Sequence, residues 1–460
     1  MTREEGGYFH SVRLDLDKCK GCTNCIKRCP VEAIRVREGK AQIMQERCID
    51  CGECVRVCPN HAKYVVTDGL ERLQDFRYRV ALPAPAFYGQ FRPDVPPGGV
   101  LAALLKAGFD GVFEVAVAAE AVTLAIRAYL ERGMPRTARP LISSACPAVI
   151  RLMQVRFPSL LGHIIPVETP MEIAARLAKE EKAREWGVTP REIGAFFVAP
   201  CAAKVTAAKQ PEGSPVSSVD GVLSMSAMYA EVLRRLPDVD LSAELHRSSG
   251  MGIGWGSAGG EGRAVGTGTV LAVDGIHNVV TVLEEVERGT LADVDFIEAQ
   301  ACVGGCIGGP LAVQNPFISR VRMRRLVEEY GGRAPGAGEA EVRRRFRQGF
   351  FDMVRPIAPR PVLRLDEDVT RAIRKMDRLE KTLARLPGLD CGACGSPTCR
   401  ALAEDIVREK AFETDCIFQL REHLEELAER MVQLTRIVPP ALSRERAPGG
   451  GGSGDPERRD

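Results

Sequence analysis

Sixteen cysteines, and above all their spacing, carry most of the chemistry legible in this 460-residue sequence. The stretch Glu298 to Pro310, EAQACVGGCIGGP, sets Cys302 and Cys306 on either side of a Val-Gly-Gly spacer. Thiolates so placed suit one iron cluster, and the bare glycine backbone lets a bulky inorganic ligand approach closely. Upstream, Cys146 in LISSACPAV and Cys201 in FFVAPCAAK each follow a short apolar run of β type that ends in a turn signal. Thiolates from three strand ends can therefore meet at one point. Cys146, Cys201, Cys302 and Cys306 make a set suited to one [4Fe-4S] cluster.

Eight more cysteines fall in the first 60 residues. RLDLDKCKGCTNCIKRCPVEAI and ERCIDCGECVRVCPN both read CxxCxxCxxxCP, the bacterial two-cluster ferredoxin run in which the fourth Cys of each motif ligates the other cluster. Cys19, Cys22, Cys25 and Cys58 are assigned to one [4Fe-4S] cluster, and Cys48, Cys51, Cys54 and Cys29 to the other. Pro30 and Pro59 turn the chain away after each fourth ligand. Isolated CxxC pairs can hold structural zinc, but the doubled pattern favours iron. The last four, Cys391, Cys394, Cys399 and Cys416, are spaced as a [4Fe-4S] shell, with zinc the alternative. No cysteine is left over. Ligand-like spacing without a secretory leader argues against a disulfide scaffold.

Stepping along the chain between these ligands, strand-like segments (Arg79 to Leu82, Val112 to Val117, Arg139 to Ile142, Ala195 to Val198, Val270 to Val273, Val294 to Ile297) alternate with amphipathic helices at Val100 to Ala107, Met171 to Glu185 and Ala227 to Leu236. Such alternation predicts an α/β domain with parallel or mixed sheets flanked by helices, and ligands bound where strands end. Four segments are expected: an α+β, ferredoxin-like domain over 1–70, an α/β domain over 77–360, a small helical cluster domain over 366–436, and a disordered, GGGGSG-containing tail over 437–460. The basic run EVRRRFRQGF reads as a solvated helix face. In the Phe418 to Leu434 helix, Leu420, Leu424, Leu427, Met431 and Leu434 form a stripe that either packs on the cluster domain or makes a homodimer or signalling contact.

A formal charge of +2 with acids and bases intermixed argues against a nucleic-acid or anionic-membrane surface. The start, MTREEGGYFHSV, is polar, and no run of about 18 apolar residues occurs. A cytoplasmic protein with no membrane or nucleic-acid partner is expected. GMGIGWGSAGG has the glycines of a dinucleotide loop but neither a preceding strand nor a clear following helix, so nucleotide binding is not expected.

The three cysteine segments, together with VALPAP at Val80 to Pro85, AGFDGVFEV at Ala107 to Val115, GWGSAGGEG at Gly254 to Gly262 and VDGIHNVVTVLEEVERG, resemble the catalytic domain of [FeFe]-hydrogenases over roughly residues 78 to 315. The resemblance implies two α/β lobes with the H-cluster in the cleft between them. It implies that Cys146, Cys201, Cys302 and Cys306 hold its [4Fe-4S] part. Cys306 would also bridge to a diiron subsite carrying CO, cyanide and a dithiolate amine, and Lys204 would hydrogen-bond that subsite's ligands. The C-terminal motif looks like the small cluster domain of electron-transfer subunits and corrinoid iron-sulfur proteins, which also follows the hydrogenase domain in sensory-type relatives.

Departures from the family's pattern are informative. Active relatives carry tandem cysteines in the first motif, the earlier one being the last proton donor to the subsite amine; here that position is Ala145. The acid expected three residues after Lys204 is Ala207, acids expected near Thr123 to Leu130 are replaced by residues such as Ile126, Arg127 and Leu130, and flanking methionines are replaced by Ala199 and Gln300. A relay lacking titratable groups within hydrogen-bond reach transfers protons slowly. The expectation is therefore an H2, proton and electron interconverting oxidoreductase of low turnover, with an H2- or redox-sensing role. Its expected partners are a ferredoxin or regulatory protein and the maturation enzymes that install the diiron subsite. The alternative is an iron-sulfur electron-transfer or scaffold protein without that subsite.

Overall fold

The computed structural model describes residues 9–132, 139–242 and 244–437. They divide into two compact units, one running to residue 367 and including 395–397, the other built from 368–394 and from 398 onward. The expected tail, from 438 on, lies outside the described residues.

The first unit opens with a doubled ferredoxin-like arrangement. Strand β1 (Val12–Leu14) pairs antiparallel with β4 (Lys63–Val65), and β2 (Ile34–Arg37) pairs antiparallel with β3 (Lys40–Ile43). One-turn helices at Asn24–Lys27 and Glu53–Arg56 carry Cys25 and Cys54 inward, where both are buried. Within so short a segment few apolar residues are available for a core; Val12, Ile26, Ile34 and Ala62 supply it around the sulfurs.

Two parallel sheets follow. The first has the order β6-β5-β8-β9, from β5 (Tyr78–Pro83), β6 (Gly111–Val112), β8 (Ile193–Ala199) and β9 (Gly221–Ser224). The second has the order β10-β11-β7, from β7 (Leu141–Ile142), β10 (Val270–Asp274) and β11 (Phe296–Gln300). All pairings in both are parallel, so of the parallel or mixed sheets expected the mixed form is excluded for both. The physical reason is that every pair of neighbours is joined through a long connection that contains a helix, as parallel pairing requires. Strand β8, IGAFFVA, is buried at every position, the continuous apolar run of a strand covered on both faces.

The strand expected at Val112 to Val117 stops at Val112, and a helix, Val115–Glu131, begins in its place. That helix reads VAVAAEAVTLAIRAYLE and is buried from Val115 to Ile126, so neither a two-residue nor a 3.6-residue period is visible in its sequence. The Gly-rich stretch forms two short helices, Gly250–Gly254 and Gly260–Val265, with no strand before them among the described residues. In the basic run, the helix Glu339–Arg347 does turn its arginines outward but buries Val342 and Phe346.

A buried charge joins the ferredoxin segment to the sheets. Asp50, between Cys48 and Cys51, accepts hydrogen bonds from the backbone N–H of Ser11 and Val12, both at 3.2 Å, and from Thr206 Oγ1 at 2.9 Å. His10 Nδ1 lies at 3.1 Å and the Arg151 guanidinium at 3.6 Å. Thr206 sits on the helix after Cys201 (Ala202–Lys209) and Arg151 on the helix after Cys146 (Pro147–Arg156). Burial pushes the Asp50 carboxyl up, but His10, Arg151 and Thr206 outweigh it and hold it below its ordinary value.

In the second unit, helices Val369–Arg385 and Cys399–Val407 pack around a small core containing Leu379, Leu402 and Ile406, while helix Ile417–Thr435 buries none of its residues. Cys399 and Cys416 are buried, Cys394 is half-buried and Cys391 is exposed. Leu420, Leu424, Leu427, Met431 and Leu434 are all exposed, so the stripe does not pack on its own cluster domain among the described residues. No helix of the described residues is long and apolar enough to cross a membrane.

Candidate functional site

The three loops that carry the four middle-chain cysteines each begin where a parallel strand ends. Residues 143–146 follow β7, Pro200 and Cys201 follow β8, and Ala301 and Cys302 follow β11. The carboxyl ends of two separate sheets thus deliver sulfur to one place, as the strand-end argument requires. Cys146, Cys201, Cys302 and Cys306 line a single cleft with Lys204, Ala145, Met171, Trp255 and Gln300, with a cavity of about 70 Å³ that is partly open to solvent. Trp255 Nε1 donates to Thr123 Oγ1 at 3.0 Å, which fixes that wall.

The Cys302–Cys306 loop can take its path only with glycine. Gly305 has φ +87, and a Cβ there would lie 2.3 Å from Gln300 Oε1 and 2.5 Å from Ala258 N. Gly309 approaches equally closely, since a Cβ would sit 2.2 Å from Pro200 O, next to Cys201. The loop is thereby pressed onto the neighbouring cysteine segment.

The electrostatics of the cleft suit a cationic iron centre. Burial, opposed by Lys204 and reinforced by the other three sulfurs, pushes the Cys201 thiol up to about 12. Burial likewise raises Cys302 and Cys306. Four thiolates cannot share this space without positive charge among them. Lys204 Nζ supplies one such charge, 3.8 Å from Cys306 Sγ and 3.5 Å from Ala145 O. Burial pulls the pKa of Lys204 down, but the facing thiolates, Cys306 first, outweigh it and keep the lysine charged. Three thiolates on one zinc would stand about 3.8 Å apart, given Zn–S bonds of ~2.3 Å. Among the described residues, the group whose ligand atoms lie within 4.8 Å of one another is His10, Cys48 and Asp50, not any cysteine trio. Gln300 Oε1 and Ser257 Oγ are buried without a hydrogen-bond partner beside the Gly305 turn, leaving polar atoms for a bound group.

A pair of buried acids adjoins the cleft. Ser143 Oγ donates to Glu261 at 2.7 Å and accepts from Ala145 N at 3.1 Å. Glu298 accepts from Gly259 N and Gly262 N, both at 2.8 Å, and from Gln300 Nε2 at 2.9 Å. Burial raises both carboxyls, and each disfavours the other's charge. Sequence reasoning quoted both acids within motifs but gave them no role, and it missed Ser143, Met171 and Trp255. An ionisable residue inside the otherwise apolar strand FIEAQ was the available signal for Glu298.

The family described as iron only hydrogenase large subunit, C-terminal domain, matches residues 77–310, half of the chain. The chain belongs to the iron-only hydrogenase family. A 4Fe-4S dicluster domain family matches residues 11–59, and an Fe-S cluster family matches 386–418. Among the relatives of this iron-only hydrogenase family member, the periplasmic [Fe] hydrogenase large subunit of Nitratidesulfovibrio vulgaris is 27% identical, covering 70% of this chain and 91% of its own length. The NADP-reducing hydrogenase subunit HndD of Solidesulfovibrio fructosivorans is 26% identical over 46% of this chain and 45% of its own. A cytosolic Fe-S cluster assembly factor of Caenorhabditis elegans is 24% identical over 38% of this chain and 49% of its own. An apo [FeFe]-hydrogenase HydA1 variant from Chlamydomonas reinhardtii aligns with a TM-score of 0.45 at 14% identity, over 60% of this chain and 91% of that one.

Proposed function

We propose that this protein interconverts H2 with protons and electrons at an H-cluster, turns over slowly, and serves to sense H2 or redox state in the cytoplasm. The observation that carries the reading is the meeting of Cys146, Cys201, Cys302, Cys306 and Lys204 around one cleft at the ends of two parallel sheets. The four cysteines would hold the [4Fe-4S] part and Cys306 the diiron part. When bound, the H-cluster supplies the metal at which H2 is split or formed. Lys204, charged and 3.8 Å from Cys306 Sγ, offers hydrogen bonds to anionic ligands there. Ala145 carries no proton. Ser143 and Glu261 reach Ala145 only through its backbone N–H, and Lys204 meets only its carbonyl, so no titratable side chain stands at this last step and slow turnover follows.

Cys19, Cys22, Cys25 and Cys58, Cys48, Cys51, Cys54 and Cys29, and Cys391, Cys394, Cys399 and Cys416 would hold three further [4Fe-4S] clusters that supply electron transfer to a ferredoxin or regulatory partner. Infrared spectra of protein matured with the subsite-installing enzymes test the reading. Bands of metal-bound CO and cyanide are expected, and their absence from iron-replete, matured protein overturns it. The second reading, an iron-sulfur scaffold or electron-transfer protein with no diiron subsite, is favoured by the likeness to the Fe-S cluster assembly factor, and it requires that no such bands form.

A further inference from the structure

Arg56 closes the one-turn helix that carries Cys54, yet its guanidinium points out of the ferredoxin segment. It donates to Gly308 O at 2.9 Å, in the turn that follows Cys306, and to Glu53 Oε2 at 2.5 Å, and its charge favours the thiolate of Cys302, opposing the effect of burial there. The side chain is three-quarters buried in that position. The two loops touch closely beside it: Gly52 has φ +74, and a Cβ on it would lie 2.5 Å from Pro310 Cγ. One face of the Cys51–Cys54 loop therefore lies directly on the Cys302–Pro310 loop, with a single cation spanning the seam.

We propose that Arg56 sets the reduction potential of the [4Fe-4S] cluster held by Cys146, Cys201, Cys302 and Cys306, by fixing a positive charge against the loop that carries its Cys302 and Cys306 ligands. The inference rests on the reading that these four cysteines hold such a cluster. An added electron is shared with the ligand sulfurs, so a cation beside them stabilises the reduced form and raises the potential. Arginine suits the role because its planar fork reaches Glu53 and Gly308 O together while remaining charged. Glu53 draws on the same cation and on Arg28 at 3.8 Å, so it tempers the effect. Arg56 would be a positioning residue, since it acts on the cluster through Cys302.

The test uses full-length protein reconstituted with iron and sulfide but without the diiron subsite, titrated for reduction potential by electron paramagnetic resonance. The relevant signal is the one that Cys302→Ser removes. In Arg56→Gln its electron affinity is expected to fall about tenfold, a shift of ~59 mV to lower potential for a one-electron couple. Arg56→Lys should recover part of that shift, the neighbouring Cys51 and Cys54 cluster should also move to lower potential, and the signals of the Cys19, Cys22, Cys25, Cys58 cluster and of the C-terminal cluster should stay in place. A signal that keeps its potential in Arg56→Gln overturns the proposal, as does a uniform shift of all clusters, which would mark a merely structural role. If Arg56→Gln fails to assemble, Glu53→Gln gives the same answer with opposite sign. Removing the competing carboxylate should raise the potential, and an unchanged value overturns the proposal. If Cys302→Ser removes no signal, the four-cysteine reading itself fails, whatever Arg56 does.

Discussion

The cysteines of the cleft and those of the C-terminal unit are assembled in opposite ways. Cys391, Cys394 and Cys399 stand within one short, glycine-containing turn, and the chain returns only once, at Cys416, to complete the set. Cys146, Cys201 and Cys302 come from strand ends in two different sheets and meet only because the whole α/β unit is built. One set is local and reaches the surface at Cys391, whereas the other is enclosed with Lys204. The difference teaches that the enclosed site is a property of the fold, whereas the C-terminal site is a property of a peptide.

The largest expected effect sharpens this contrast directly. Cys306→Ser should abolish H2 turnover and the infrared bands of the matured protein, while Cys391→Ser should lose about four iron atoms per chain and leave those bands unchanged. Equal loss of the bands in both variants would erase the distinction. Next, Ala145→Cys should raise H2 evolution by about 10²-fold or more, the usual worth of a positioned acid, and an unchanged rate in matured protein would remove the relay argument. Third, Asp50→Asn removes one of the two carboxylates that face buried Arg151, leaving Glu212 at 3.1 Å, and should cost about 1–3 kcal/mol, read as a lowered denaturant midpoint. By contrast Glu380→Gln, at an exposed pair with Arg400 in the second unit, should stay within about 0.5 kcal/mol.

The smallest effect concerns pH. Glu261 has a raised pKa in the fold, so between its ordinary value of 4.5 and the raised one the folded state binds more protons than the unfolded chain. Stability should therefore fall as pH rises across that window, and Glu261→Gln should flatten the slope. Thermal midpoints of the two proteins measured from acid to neutral pH would show it, and parallel curves would mean that Glu261 is ionised in the fold.

What could be read from the sequence follows the same local and non-local division. The doubled ferredoxin motif and the C-terminal turn were legible because their ligands are near neighbours. Cys146 and Cys201 were legible because each ends a strand-like run at a turn. The helix after Val115 was misread in part as strand because it is buried on all sides and so has no polar face to mark its period. Strand β9 passed unnoticed in a short run, GVLS, beside polar residues. Ser143 and Glu261 are neighbours only through the fold, and no spacing joins residues on the end of β7 to the glycine-rich helix Gly260–Val265. Parallel and mixed sheets could not be told apart in the sequence because strand direction is set by connections rather than by strand composition.

Asp50 has a consequence for how such proteins can be rearranged. Because its carboxylate is satisfied from the helices behind Cys146 and Cys201 as well as from its own segment, the ferredoxin portion is no interchangeable plug. Excising it would leave Arg151 and Thr206 facing a hole, and grafting a foreign electron module would require that module to bring an acid at the same depth. The two portions must be inherited, and must melt, together.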